Sequence, residues 1–462
     1  MMKKVLIANR GEIALRVVRA CQEMGLRSVV VHSTRDRDTA AVRLCDESVQ
    51  IGPPPPKKSY LNSAAVLEAA IRTGADAVHP GYGFLSEDPD FAEACESLGI
   101  TFVGPPAPTM ARLGDKLRAR MLMAEAGLPL LPGSLAATAG EHAFELAGQI
   151  GYPVIIKASA GGGGRGMRVV ERPDEFVEAY RETKATAQAV FGDGGVYLEK
   201  YLPDTRHVEI QILRDRYGNA VHLGERDCTV QRRHQKLVEE SPAPRLSAEL
   251  VEEMAASALR GAEAAGYEGA GTFEFLVTPD GGYYFIEVNC RVQVEHPVTE
   301  MVTGVDIVQQ QLRIAAGDPL GFGQRDVSPR GVAIECRINA EDPDRAFVPT
   351  PGVLREFEPA AGPFVRVDTH VRAGSVVPPD YDSLLAKLIV WAPDRSGAIA
   401  RMSRALREFR IDGENLCTTQ RFLLDVLDHP RFVAATHNSA FVDEMPGTTG
   451  APRPGEGGGA GR

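Results

Sequence analysis

Two hydrophobic periods alternate along this chain, and the places where one gives way to the other divide it into regions. Residues 3–8, KKVLIA, form an apolar run of strand length. From Glu12 to Met24 apolar positions recur at helical spacing and stop at Gly25, a residue suited to ending a helix. SVVVH at 28–32 predicts a second strand, and apolar runs at Ala77–Val78 and Thr101–Val103 alternate with helical segments around 62–73 and 88–98. Strands alternating with helices predict a doubly wound parallel sheet, an α/β domain over 1–113, with the turn cluster GPPAP at 104–108 near its end.

From 114 to 203 the pattern becomes short strands around a glycine run, which predicts a small lid able to move by itself. From 204 to 446 strands lead: HVEIQIL, AVHLGE, GTFEFLV and YYFIEVN, with a helical stretch at 247–265 among them. That order predicts an α+β domain. Residues 447–462, GTTGAPRPGEGGGAGR, carry too little apolar surface to be buried and read as a disordered tail.

Composition narrows the function classes. A chain of 462 residues, 44% hydrophobic, can build several cores, and a net charge of -11 argues against a general nucleic-acid binder. A local cationic cluster could still hold an anion. No apolar run approaches the roughly 18 residues of a membrane span, and the first apolar run is too short for a secretory signal. Seven dispersed cysteines without a C-x-x-C pair fit reduced thiols, so a cytoplasmic location is expected. Lysine is scarce, ten residues against 41 arginines, yet Lys116, Lys157, Lys200 and Lys236 all fall in the segments that follow.

The glycine run lies in YPVIIKASAGGGGRGM (152–167). Gly161, Gly163 and Gly166 match G-x-G-x-x-G, but that fingerprint requires a following helix, and MRVV (167–170) reads as a strand. A hairpin whose bare N–H groups approach phosphates is the better reading, against a merely flexible loop. Lys157, alone on the apolar strand VIIKAS, is costly to bury without an anion. In YYFIEVNCRVQVEH (283–296), Glu287, Asn289, Arg291, Gln293 and Glu295 alternate with apolar residues and would share one side of an extended chain. A solvated strand face is the competing reading, but carboxylate, amide and guanidinium in succession suit a site better. With Glu274 on the neighbouring strand GTFEFL, two carboxylates and a carboxamide make hard oxygen ligands for magnesium, and Arg291 can grip a small planar oxyanion. ERDCTVQRRHQKLVEE (225–240) and Arg337 in AIECRINAEDP would each pass alone for charged surface or an ordinary strand. HPGYGFLSE (79–87) is a turn-rich loop after a parallel strand, a usual place for ligand contacts.

Together, ANRGEIA (8–14), HPGYGFLSE, GDK (114–116), IIKASAGGGGRGM (155–167), EKYL (199–202), RHVEIQ (206–211), ERDCTVQRRHQK (225–236), RVQVEHPVTEM (291–301) and ECRINAEDP (335–343) closely resemble the biotin carboxylases of the ATP-grasp superfamily. The resemblance covers about residues 3–445. It implies an ATP-grasp architecture: a doubly wound N-terminal domain, a glycine-loop lid and a C-terminal α+β domain. It puts Lys116, Lys157, Gly163, Gly164, Glu199, Lys200, Leu202, His207, Gln231, His234, Glu274 and Glu287 around ATP. Glu274, Glu287 and Asn289 would hold Mg2+, with Mn2+ able to replace it. Lys236, Arg291, Gln293 and the backbone of Val294 would bind bicarbonate. Glu295 would be its base, and Arg337, with Tyr82 nearby, would face biotin. The catalytic set is then Arg291, Glu295, Lys236 and Arg337. Two departures stand out: Cys290 where relatives commonly have Thr, expected to pack inward, and Ala160 where they often have Gly.

The resemblance implies that bicarbonate is phosphorylated by ATP and its carbon passed to biotin. Alternatives are another ATP-grasp ligase joining a carboxylate to an amine, and a silent nucleotide-binding regulatory subunit. No Met-Lys-Met attachment sequence occurs, so biotin is expected on a separate carrier protein, with carboxyltransferase subunits choosing the final acceptor. A homodimer is expected through the first long helix, where Arg16, Arg19 and Glu23 recur at i, i+3 and i+7.

Overall fold

The computed structural model describes residues 2–159 and 166–445. Strands β1 (Lys4–Ile7), β2 (Arg27–Ser33), β3 (Glu47–Gly52), β4 (Ala77–His79) and β5 (Thr101–Phe102) form a parallel sheet in the order β3-β2-β1-β4-β5. The helix Gly11–Glu23 buries Ile13, Leu15, Val17, Val18 and Cys21, as its apolar spacing predicts. Edge strand β3 escaped the sequence reading because ESVQIG is largely polar and buries only Ile51.

The lid holds β6 (Val154–Ala158), β7 (Met167–Val170) and β8 (Val196–Lys200) in the antiparallel order β7-β6-β8. Helices Gly140–Ile150 and Phe176–Phe191 close a core of their own over Val154, Ile156 and Leu198. MRVV is therefore a strand, and the dinucleotide fingerprint is ruled out on structural grounds. The run 160–165, with Ala160, Gly163 and Gly164, and the tail 447–462 lie outside the described residues.

An eight-stranded sheet follows. Its strands β9 (Arg206–Arg214), β10 (Ala220–Arg232), β11 (Gln235–Ser241), β12 (Gly269–Val277), β13 (Tyr283–Asn289) and β14 (Val332–Asn339) run β13-β12-β9-β10-β11-β14, extended by Leu384–Ala392 and Val365–Thr369. All neighbours are antiparallel. Val208, Ile210 and Ile212 pack with Met254, Ala255 and Ala258 of the helix Ala248–Ala265. The other face carries charge and is roofed by the helix His296–Thr303, whose Thr299 hydroxyl accepts from Arg226.

Two expectations change here. The strand containing Glu287 ends at Asn289, so Arg291, Gln293 and Glu295 reach the site from a loop, and Glu295 stands immediately before the helix that follows. Arg16 faces inward, 2.9 Å from Glu300 and 2.6 Å from Asp306, while Arg19 and Glu23 stay exposed. No helix among the described residues is long and apolar enough to cross a membrane.

Candidate active site

A row of charge crosses the large sheet. Glu287 on β13 lies opposite Glu274 on β12, Glu274 opposite Glu209 on β9, and Glu209 opposite Arg226 on β10. Adjacent buried carboxylates repel unless cations intervene. Lys236 is the main one: its Nζ lies 2.7 Å from Glu209, 3.0 Å from Glu274 and 2.7 Å from Glu295. His207 Nε2 sits 2.8 Å from the other Glu274 oxygen, and fully buried Arg226 bonds Glu209, Gln211 and Thr299.

The titration of the row shows where positive charge runs short. Burial favours neutral Glu274, but Lys236 and His207 override it and hold the carboxyl well below the usual range. Glu287 moves the other way, raised by burial and then by the Glu274 charge. Positive charge thus runs short at Glu287, and its carboxylate together with that of Glu274 offers hard oxygen donors that fit a magnesium ion. Asn289 is spent differently: its amide donates to Glu274 (2.8 Å) and its oxygen accepts from Arg291 (3.0 Å). A metal would have to take that oxygen from Arg291.

Glu295 joins two cations. One oxygen accepts from Lys236 (2.7 Å) and the other from Arg337 Nη2 (2.9 Å). Burial opposes ionisation, yet Lys236 and Arg337 keep this carboxyl well below its ordinary value. Arg337 also donates through Nε to Glu239 (2.6 Å), whose carboxyl burial pushes up to about 7 despite that partner. Arg291 spreads its fork over Glu87 (3.0 Å), Gln293 (2.8 Å) and Asn289. Gln293 in turn donates to Glu274 (3.0 Å). The Val294 carbonyl accepts from fully buried Lys387 (2.8 Å), which also lies 3.1 Å from Glu12. The Tyr82 hydroxyl donates to that same Glu12 oxygen.

At the other end, Lys157 on β6 pairs with Glu199 on β8, which also takes Arg120. Lys116 begins the helix Lys116–Glu125, whose N-terminus Asp115 caps. Burial lowers the Lys116 pKa, and Glu287 and Glu199 oppose the shift, so this lysine shares their space. Gln231 stands opposite Lys236 where β10 pairs β11. His234 and Arg233 make the hairpin tip, both in the left-handed region (φ 65 and 47), a conformation costly for residues other than Gly and Asn. The Lys200 side chain does not join the cluster: its ammonium donates to the carbonyls of Gly151 (2.9 Å) and Tyr152 (3.0 Å), tying β8 to the loop before β6. Leu202 lies half-buried beyond it, and Cys290 packs inward as expected.

Glu209, Arg226, Glu239, Glu87, Glu12, Arg120 and Lys387 were not singled out as site residues from the sequence. One had a usable signal: Lys387 stands alone in LLAKLIVW, the same anomaly that marked Lys157.

The chain matches three family models: biotin carboxylase, N-terminal domain, over 1–110; carbamoyl-phosphate synthase L chain, ATP binding domain, over 115–322; and biotin carboxylase C-terminal domain, over 335–444. It is 53% identical to a biotin carboxylase of Nostoc sp. over 96% of this chain and 99% of that protein. A Campylobacter jejuni biotin carboxylase in complex with βγ-ATP superposes with a TM-score of 0.94 at 46% identity, covering 96% of this chain and 99% of that one. The biotin carboxylase domain dimer of a Hydrogenobacter thermophilus 2-oxoglutarate carboxylase, with MgADP, ADP and bicarbonate, gives 0.94 at 44% identity, over 98% of this chain and 100% of that one. This chain belongs to the biotin carboxylase family, ATP-dependent ligases of the ATP-grasp fold.

Proposed function

We propose that the chain carboxylates biotin on a separate carrier protein, using ATP and bicarbonate by way of carboxyphosphate. The observation that carries this reading is Glu295 shared between Lys236 and Arg337, which puts a base between an anion-binding lysine and a second arginine. Bicarbonate, held by Lys236, Arg291, Gln293 and the Val294 N–H, adds negative charge beside Glu295. That charge opposes the two cations and lifts the Glu295 pKa toward what proton removal needs. The deprotonated oxygen attacks the γ-phosphorus of ATP, the bond to ADP breaks, and carboxyphosphate forms. A magnesium ion at Glu274 and Glu287 would neutralise the phosphates during transfer. Carboxyphosphate separates into carbon dioxide and phosphate, and the phosphate takes the proton from the biotin ureido nitrogen. Arg337 stabilises the enolate-like ureido oxygen while that nitrogen bonds to the carbon dioxide. Lys387 fixes the Val294 carbonyl, and His296 Nδ1, 2.7 Å from the Gln293 carbonyl, holds the peptide that carries the Val294 N–H.

Supporting this reading, the Hydrogenobacter relative contains MgADP and bicarbonate, and the Nostoc relative is a biotin carboxylase of nearly the same span. The carrier and carboxyltransferase subunits of an acyl-CoA carboxylase, such as acetyl-CoA carboxylase, are the partners this reading assigns. It also assigns a cytoplasmic location and a homodimer using the exposed Arg19 and Glu23 of the helix Gly11–Glu23. The experiment is phosphate release from ATP, expected to depend on bicarbonate and to accelerate with free biotin. ATP cleavage that ignores bicarbonate, or that needs an amine acceptor, would favour another ATP-grasp ligase.

A further inference from the structure

Outside this site, the N-terminal domain and the loop after Val365–Thr369 enclose a cleft of about 680 Å³. Five arginines line it, Arg10, Arg35, Arg37, Arg43 and Arg372, against two acids, Asp36 and Asp38. Arg10 and Asp36 cancel each other, at 2.9 and 3.1 Å. The rest of the positive charge is poorly neutralised. Arg35 comes no nearer than 3.9 Å to Asp380, and Arg43 donates to a backbone carbonyl. Among the described residues, the Arg37 and Arg372 guanidinium groups have no hydrogen bond or ion pair, and both residues are exposed. The chain leaving the cleft through Pro54 carries two more exposed cations, Lys57 and Lys58. On a protein of net charge -11, so much unpaired positive charge around one concavity marks a place for negative charge from outside.

The back wall of the cleft is continuous with the segment that holds Tyr82. Arg10 is flanked by Asn9, whose amide donates to the Tyr82 carbonyl at 2.7 Å, and by Gly11, against which the His370 ring packs. Glu12, two residues on, accepts from the Tyr82 hydroxyl. Resting on the reading that Tyr82 and Arg337 receive biotin, we infer that this cleft docks an acidic face of the biotin-bearing carrier domain. Biotin reaches the ureido site on a flexible arm, so the body of its carrier must settle on surface close to Tyr82. The exposed, unpaired Arg37 and Arg372 guanidinium groups, with the weakly paired Arg35 beside them, steer an acidic partner toward that surface, acting on encounter more than on the chemical step. A free small anion could occupy the same charges, but it would not make carboxylation of the carrier depend on them.

The test is the double charge reversal Arg37→Glu/Arg372→Glu in the full chain, assayed with free biotin and with the purified biotinylated carrier. With the carrier at low salt, kcat/KM should fall about 10-fold or more, and the gap should narrow near 0.15 M salt. With free biotin, and in bicarbonate-dependent ATP hydrolysis, the variant should match the parent. The milder Arg37→Gln/Arg372→Gln pair should give an intermediate loss with the carrier. Unchanged kcat/KM for the carrier, or an equal loss with free biotin, would overturn the docking. A parent protein that carboxylates neither form of biotin would instead bring down the functional reading on which the docking rests.

Discussion

Replacing Arg337 by alanine separates the two halves of the proposed reaction. The guanidinium holds Glu239 at 2.6 Å and Glu295 at 2.9 Å, and its loss touches folding and chemistry differently. Stranding a buried charge typically costs roughly 3–5 kcal/mol. Glu239 avoids most of this, because burial has already pushed its carboxyl up to about 7 and it can take a proton once its partner is gone. Glu295 keeps Lys236 at 2.7 Å and so stays ionised and in place. The variant should therefore remain folded. Biotin carboxylation should fall about 10²–10³-fold, or about 2.7–4 kcal/mol, the scale of losing one oxyanion donor. Bicarbonate-dependent ATP hydrolysis without biotin should fall far less, since no ureido oxyanion forms in that step. Arg291→Ala should depress both activities, because bicarbonate is common to them. Steady-state assays of both reactions, beside a thermal melt, decide the matter. Equal loss of both activities in a folded Arg337→Ala protein would refute this division of labour.

Glu274→Gln removes a carboxylate beside Glu287, where positive charge runs short, so half-saturation of ATP hydrolysis by Mg2+ should rise by about 10-fold or more; an unchanged magnesium requirement would show that the ion sits elsewhere. Glu239 carries a pH signature. Its folded pKa of about 7 lies above the unfolded value near 4.3, so between these the folded state holds a proton the unfolded state has lost. Stability from this group therefore declines as pH rises through that window, by up to roughly 4 kcal/mol. Glu239→Gln should flatten the corresponding part of a plot of Tm against pH, and an unaltered slope would place the effect on other groups. For the lid, amide exchange in Val154–Ala158 and Met167–Val170 should slow on adding ATP, and exchange that is already slow and stays so would argue against independent movement.

The doubly wound sheet was legible because its core strands are short apolar runs between amphipathic helices, a pattern local enough to read along the chain. The strands of the large sheet were legible too, but what covers them was not. In HVEIQIL the alternation says that Glu209 and Gln211 oppose Val208, Ile210 and Ile212. It does not say that both faces are buried. Burial of the polar face comes from the helix His296–Thr303, nearly ninety residues later, a long-range fact that period-2 spacing cannot contain. The candidate residues of 287–295 were found because their chemistry is unusual for a solvated face. Their geometry was misjudged because a two-residue period survives in a loop that no longer runs as a strand.

The missed partners share one physical cause. Glu209, Arg226 and Glu239 are ordinary charged residues in sequence, and each becomes exceptional only through the neighbour that burial forces upon it. Arg226 neutralises Glu209 from one side and Lys236 from the other, and this frees Lys236 to reach Glu274 and Glu295 as well. Had Lys236 been the sole cation among three carboxylates, the excess negative charge would have driven one of them to take a proton. With Arg226 and Arg337 sharing the load, Glu295 stays ionised in a buried place, as its proposed role of accepting a proton from bicarbonate requires. The proposed base is thus kept ionised by arginines that need not touch bicarbonate, and only the pairing of β9 with β10 reveals the first of them.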